Sequence, residues 1–227
     1  MTMTSNTLTS LQEALAEIYD LPAQPDVRDF LLTNRAALER VPGARAGDEQ
    51  LLVAEEGDTL SLALYIDPAV LERLARRDPF TVLDQSNLAD YLTAAEGVSH
   101  FVYVAWNAGH DKPVTLLELE LQAEVDKYVL GAWLLREQGA GRFPRELHHA
   151  LFERAHVDPC LAGERAGLYR AASDYADRFC RRVASRLERA RRCASATQGS
   201  SRELLAELRR FYRWGSAQKL SFIESFS

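Results

Sequence analysis

The chain has 227 residues, 47% of them hydrophobic and 26% charged, the composition of an ordinary soluble globular protein. A formal net charge of −6 argues against a general nucleic-acid binder, which needs a surplus of Lys and Arg. No apolar run approaches the roughly 20 residues a membrane span requires, and the amino terminus has no basic segment before an apolar core, so neither a span nor a secretory signal is expected.

Ser10 and Glu13 read as an S-x-x-E capping box for a helix carrying Leu11, Leu15 and Ile18, with residues 1–9 ahead of it expected to be disordered. Pro22 and Pro25 end that helix, and Asp26 opens a second through Val27, Phe30, Leu31, Ala37 and Leu38, stopped at Pro42-Gly43. The clearest β signal follows: residues 50–54 and 59–66, where Leu60, Leu62, Leu64 and Ile66 alternate with Thr59, Ser61, Ala63 and Tyr65, joined by a turn at Glu55–Asp58. Asp67-Pro68 then caps a helix through Leu71 and Leu74.

From Ser86 to Trp106 the positions Leu88, Tyr91, Leu92, Ala95, Val98, Val102 and Trp106 share one helical face. The run Phe101–Trp106 also reads as a buried strand, and Leu117–Gln122 alternates, so a second hairpin turning at Asn107–His110 is the alternative over 100–122. Two antiparallel helices are favoured, because Thr115 and Glu118 form a capping box and Leu117, Leu121, Val125, Tyr128, Ala132 and Leu135 continue a stripe to Gly139. A short helix from Pro144 through His148, His149 and Phe152, a long amphipathic helix over 163–192, and a final helix capped by Ser200 and Glu203 complete the chain, with a helical turn from Ser216.

The expected fold is therefore α+β and predominantly helical, with a small antiparallel hairpin or sheet at about 50–66 packed against helices and a helical carboxy-terminal half. Residues 1–193 are expected to form one globular domain, 194–201 a flexible linker, and 202–227 a helical segment that packs on the body or on a partner. Cys160, Cys180 and Cys193 are too few and too unevenly spaced for a disulfide framework, which points to reduced thiols and a cytoplasmic location.

Chemistry is suggested where charge interrupts the apolar stripes. Glu124 lies between Leu121 and Tyr128, Glu120 stands one turn earlier, and Glu96 and His100 are spaced i, i+4 on the flank of the preceding helix. A buried carboxylate must meet a cation, a metal or a proton. One imidazole among carboxylates suits zinc, manganese or iron, giving Glu96, His100, Glu120 and Glu124 as a candidate metal set. Without metal, Glu124 is the candidate general acid or base, and salt bridges from Lys127, Arg136 or Arg165 would neutralise it structurally.

The stretch Glu96-Gly-Val-Ser-His100 with a later carboxylate is similar in spacing to the zincin peptidases, where one helix gives two ligands four apart and a later helix gives a third. The chain departs from that pattern at two positions. Glu96 stands in place of a ligand His, and Gly97 stands where the catalytic Glu belongs, which leaves a hydrolase of this type without its general base.

Elsewhere, Glu146, His149, Glu153 and His156 read as a solvated helix face. Arg178, Arg181, Arg182, Arg186, Arg189, Arg191 and Arg192 form a basic face, and Phe211, Tyr212 and Trp214 interleave with arginine near the terminus. No phosphate-binding glycine loop, nucleophile elbow or dinucleotide fingerprint is present. The leading expectation is a non-enzymatic protein that acts through a protein partner or as a homo-oligomer, using the basic and aromatic helices. The alternative is a metal-binding protein, or a degenerate zincin-like hydrolase, centred on the Glu/His set.

Overall fold

The computed structural model describes residues 4–139, 145–153, 164–192 and 197–226. It is α+β and predominantly helical, as the sequence implies, with one small three-stranded mixed sheet among the described residues. The described chain comprises two compact units. One comprises the chain up to Ala16 with Leu21–Pro113, the other Glu17–Asp20 with the chain from Val114 on.

Helix α1 (Thr4–Tyr19), which belongs to the first unit up to Ala16, begins six residues before the anticipated cap at Ser10. Leu8 is fully buried together with Leu11 and Leu15, so one apolar stripe runs through residues expected to be disordered. Asp26 does cap a helical turn, its carboxylate accepting from the Arg28 amide, but this is a single 3-10 turn, Val27–Phe30. The expected helix through Leu38 is replaced by strand β1 (Leu31–Leu32) and a short α2 (Arg35–Leu38), capped anew by Asn34.

The sheet has the order β1-β3-β2, with β2 spanning Glu49–Glu56 and β3 spanning Thr59–Ile66. β2 and β3 pair antiparallel from Glu49 opposite Ile66 to Glu56 opposite Thr59. β1 adds in parallel, Leu31 beside Leu64 and Leu32 beside Tyr65. The hairpin turn is tighter than the four residues anticipated: only Gly57 and Asp58 lie outside the ladder, and Gly57 at φ 59° supplies the left-handed residue such a turn needs.

Asp67 caps α3 (Pro68–Arg76) by accepting from the Ala69 amide, and its other oxygen accepts from Arg35 and Tyr65. The Ala69 bond, helped by Tyr65 and Arg35, holds the Asp67 carboxyl below its ordinary range against the opposing effect of partial burial. Asp67→Ala is expected to cost about 1–2 kcal/mol in urea denaturation, because a cap and two tethers are lost together.

The longest helix of this unit, α4 (Leu88–Ala108), packs on β2, β3 and α3. Tyr91, Ala95, Val98 and Val102, four of the stripe residues, are at most 1% exposed. Phe101, which a strand reading would have placed in a hairpin, packs on Phe30 at 4.9 Å between ring centres.

In the second unit α5 (Leu116–Glu137) is mostly buried and packs chiefly on α7 (Glu164–Arg192). The helix pair thus replaces the hairpin alternative over 100–122, and Thr115 caps α5 through the Glu118 amide at 3.2 Å. α6 (Arg145–His148) runs on into a π turn, His149–Glu153. Helix α8 (Thr197–Arg213) takes in residues 197–201 of the expected linker; residues 193–196 lie outside the described residues. α9 (Ser216–Glu224) is a full helix where a turn was anticipated. Phe179 stacks on Phe211 at 4.0 Å, and Tyr19 stacks on Tyr212 at 4.2 Å, which buries Phe211 and Tyr212 of the terminal Arg-rich segment, while Trp214 is half-buried. No helix among the described residues is long and apolar enough to cross a membrane.

Candidate functional site

Glu96 and His100 lie one turn apart on α4, His100 only 5% exposed and Glu96 half-buried. Each offers a metal-ligating atom within 4.8 Å of the other's, the separation that two ligands of one ion require. His100 is also held from outside the helix. Its Nδ1 lies 3.2 Å from Oε1 of Glu49, the first residue of β2. A carboxylate oxygen can only accept, so the contact is a hydrogen bond when the ring carries its proton on Nδ1.

Glu49 reaches His100 because position 97 has no side chain. A Cβ on Gly97 would stand 2.9 Å from Glu49 Cγ, closer than real Cβ atoms approach, and in tight contact at 3.0 Å with Leu64 Cδ1. A glycine in a helix interior costs about 1 kcal/mol relative to alanine, and here the close passage of β2 and β3 explains it.

The remaining members of the predicted set lie on α5. Glu120 is 5% exposed. Glu124 is neutralised as one of the structural alternatives anticipated, with its Oε1 accepting from Lys127 Nζ at 2.9 Å. That contact gives Glu124 the cation a partly buried carboxylate needs.

A second buried polar cluster in the second unit escaped the sequence reading. Asp126, fully buried on α5, accepts at one oxygen from Tyr19 Oη at 2.5 Å and from Gln122 Nε2 at 2.7 Å. Gln122 in turn accepts at Oε1 from Lys219 Nζ of α9 at 2.6 Å. Glu118 accepts from the Ser216 amide at 2.9 Å, so the second half of the expected capping box caps α9 instead of its own helix. Burial lowers the pKa of Lys219 to about 7, although Glu118 and Asp126 act in the opposite direction. Burial also pushes the Tyr19 hydroxyl and the Cys180 thiol well up, so Cys180 is an inert core thiol.

The basic face of α7 is largely engaged within its own unit. Arg182 and Arg186 converge on Glu207 of α8, at 3.0 and 2.5 Å, and Arg181 pairs with Asp177 at 2.9 Å. Burial pushes Glu207 up, and the two guanidiniums outweigh it, holding the carboxyl below its ordinary range. Arg178 lies over the Tyr175 ring at 5.6 Å. The side chains of Arg191 and Arg192, and all of Cys160, Cys193 and His156, lie outside the described residues.

In the remaining cluster Glu146 and His149 are exposed, as a solvated face requires. Their neighbour His148 is buried instead, with Nε2 at 2.9 Å from Asp177.

No protein-family model, no curated protein and no solved structure matches the chain.

Proposed function

We propose that the protein binds a divalent metal ion through Glu96 and His100 of α4. The observation that carries this reading is the buried His100 ring, tethered at Nδ1 by Glu49, with a second ligating side chain one turn away on the same rigid helix. Ligating histidines characteristically donate their other ring N–H to a carboxylate. Imidazole with carboxylates suits zinc, manganese or iron. Gly97 offers no proton acceptor at the position where a zincin peptidase has one, so the proposal is of a binding centre rather than of a peptidase.

The partner-binding reading draws less support from the side chains that suggested it. Arg182 and Arg186 are held by Glu207, and Phe211 and Tyr212 are buried.

The purified full chain, incubated with zinc and dialysed, is expected to retain one equivalent by elemental analysis. His100→Ala should lower zinc affinity by about 100-fold or more, and Glu96→Gln by about 10–100-fold. Lys127→Met, which removes the cation paired with Glu124, should leave affinity unchanged. Full zinc retention at unaltered affinity in His100→Ala would refute the assignment.

A further inference from the structure

We propose that Glu49 is a positioning residue for the metal centre. It fixes His100 as the Nδ1–H tautomer, so that Nε2 is the nitrogen that binds the ion, and it does so through a gap that Gly97 keeps open. The proposal rests on the reading of Glu96 and His100 as ligands and adds a residue, a tautomer and a ligating atom to it.

Three observations converge on it. Glu49 Oε1 stands 3.2 Å from Nδ1, close enough for a charge-assisted bond that only an Nδ1–H can donate. Both side chains are largely shielded from water, at 6% exposure for His100 and 12% for Glu49, so water competes little for that proton. Finally, the ideal Cβ of residue 97 would overlap Glu49 Cγ and come within 3.4 Å of Oε1. Any side chain at 97 would force the Glu49 side chain to shift where it meets His100.

With Nδ1 committed to Glu49, an ion is left with Nε2, which is sequestered from solvent. The carboxylate also raises the basicity of the ring toward that ion. Glu49 contributes no bond to the metal; its effect is on which ring nitrogen faces the ion and how firmly the ring is held.

Nitrogen-15 NMR of the histidine rings tests this in the full chain, first without metal and then with zinc alone. The metal-free protein is expected to show His100 protonated at Nδ1, and zinc is expected to shift Nε2. Glu49→Ala should weaken zinc binding by about 10–100-fold. Glu49→Gln should stay within a few-fold of the parent, because its amide oxygen still accepts from Nδ1–H.

Gly97→Ala should weaken binding to a similar degree as Glu49→Ala. Adding it to Glu49→Ala should cause no further loss, since both act through one contact. Circular dichroism establishes that each variant is folded, and the tautomer measurement needs no variant at all.

The possible failures are distinguishable. Zinc on Nδ1, or unchanged affinity in folded Glu49→Ala, overturns the positioning role and leaves the metal centre standing. No zinc binding by the parent protein overturns the centre, and this proposal with it.

Discussion

Asp126→Ala is expected to destabilise the protein by about 3–5 kcal/mol, the largest loss from a single substitution outside the apolar core. Asp126 is fully buried, and its Oδ1 receives both the Tyr19 hydroxyl and the Gln122 amide. Removing the carboxylate leaves those two donors buried without that acceptor, at about 1–3 kcal/mol each before relaxation. It also removes one of the two negative charges that favour the buried Lys219 ammonium, which reaches the same network through Gln122. Asp126→Asn keeps an acceptor oxygen and should cost less. Urea denaturation followed by circular dichroism gives both values; a loss below about 1 kcal/mol for the alanine variant would show that the network contributes little.

Stability should rise with pH across the neutral range, and Lys219 is the reason. Its folded pKa is about 7 against an ordinary 10.5, because burial penalises the ammonium more than Glu118 and Asp126 favour it. Between those values the unfolded chain holds a proton that the folded chain has lost. The unfolded state therefore binds more protons, and the free energy of unfolding rises with pH by up to about 1.4 kcal/mol per unit.

Above pH 9 the effect is opposed. The buried Cys180 thiol stays protonated in the fold, whereas an unfolded thiol ionises near 9.0. The window that isolates Lys219 is thus pH 7 to 9. Lys219→Met should remove the slope there, and Asp126→Asn should move its onset below 7 by withdrawing a charge that favours the ammonium. Equal slopes in the parent and Lys219→Met would contradict the assignment.

Strong local periodicity was legible in the sequence, and contacts between distant segments were not. The alternation of Leu60, Leu62, Leu64 and Ile66 identified β3, and Asp67-Pro68 and Thr115 marked true helix starts. Strand β1 was missed because Leu31 and Leu32 also fit a helical stripe, and only pairing with Leu64 and Tyr65 makes them a strand. At the candidate site, Glu96 and His100 announced themselves by i, i+4 spacing. Glu49, 51 residues from His100, gave no local sign. Gly97 was the available clue, since an interior helical glycine often marks a close backbone approach. Lys219 and Tyr19 were hidden for the same reason: each meets Gln122 or Asp126 across about a hundred residues of chain.

X-ray absorption at the zinc edge of the zinc-loaded full chain tests the metal centre most directly. The expected shell contains one imidazole nitrogen and carboxylate oxygens at about 2.0–2.2 Å, with the imidazole scattering lost in His100→Ala. A shell of oxygens alone, or imidazole scattering that survives His100→Ala, would contradict the account.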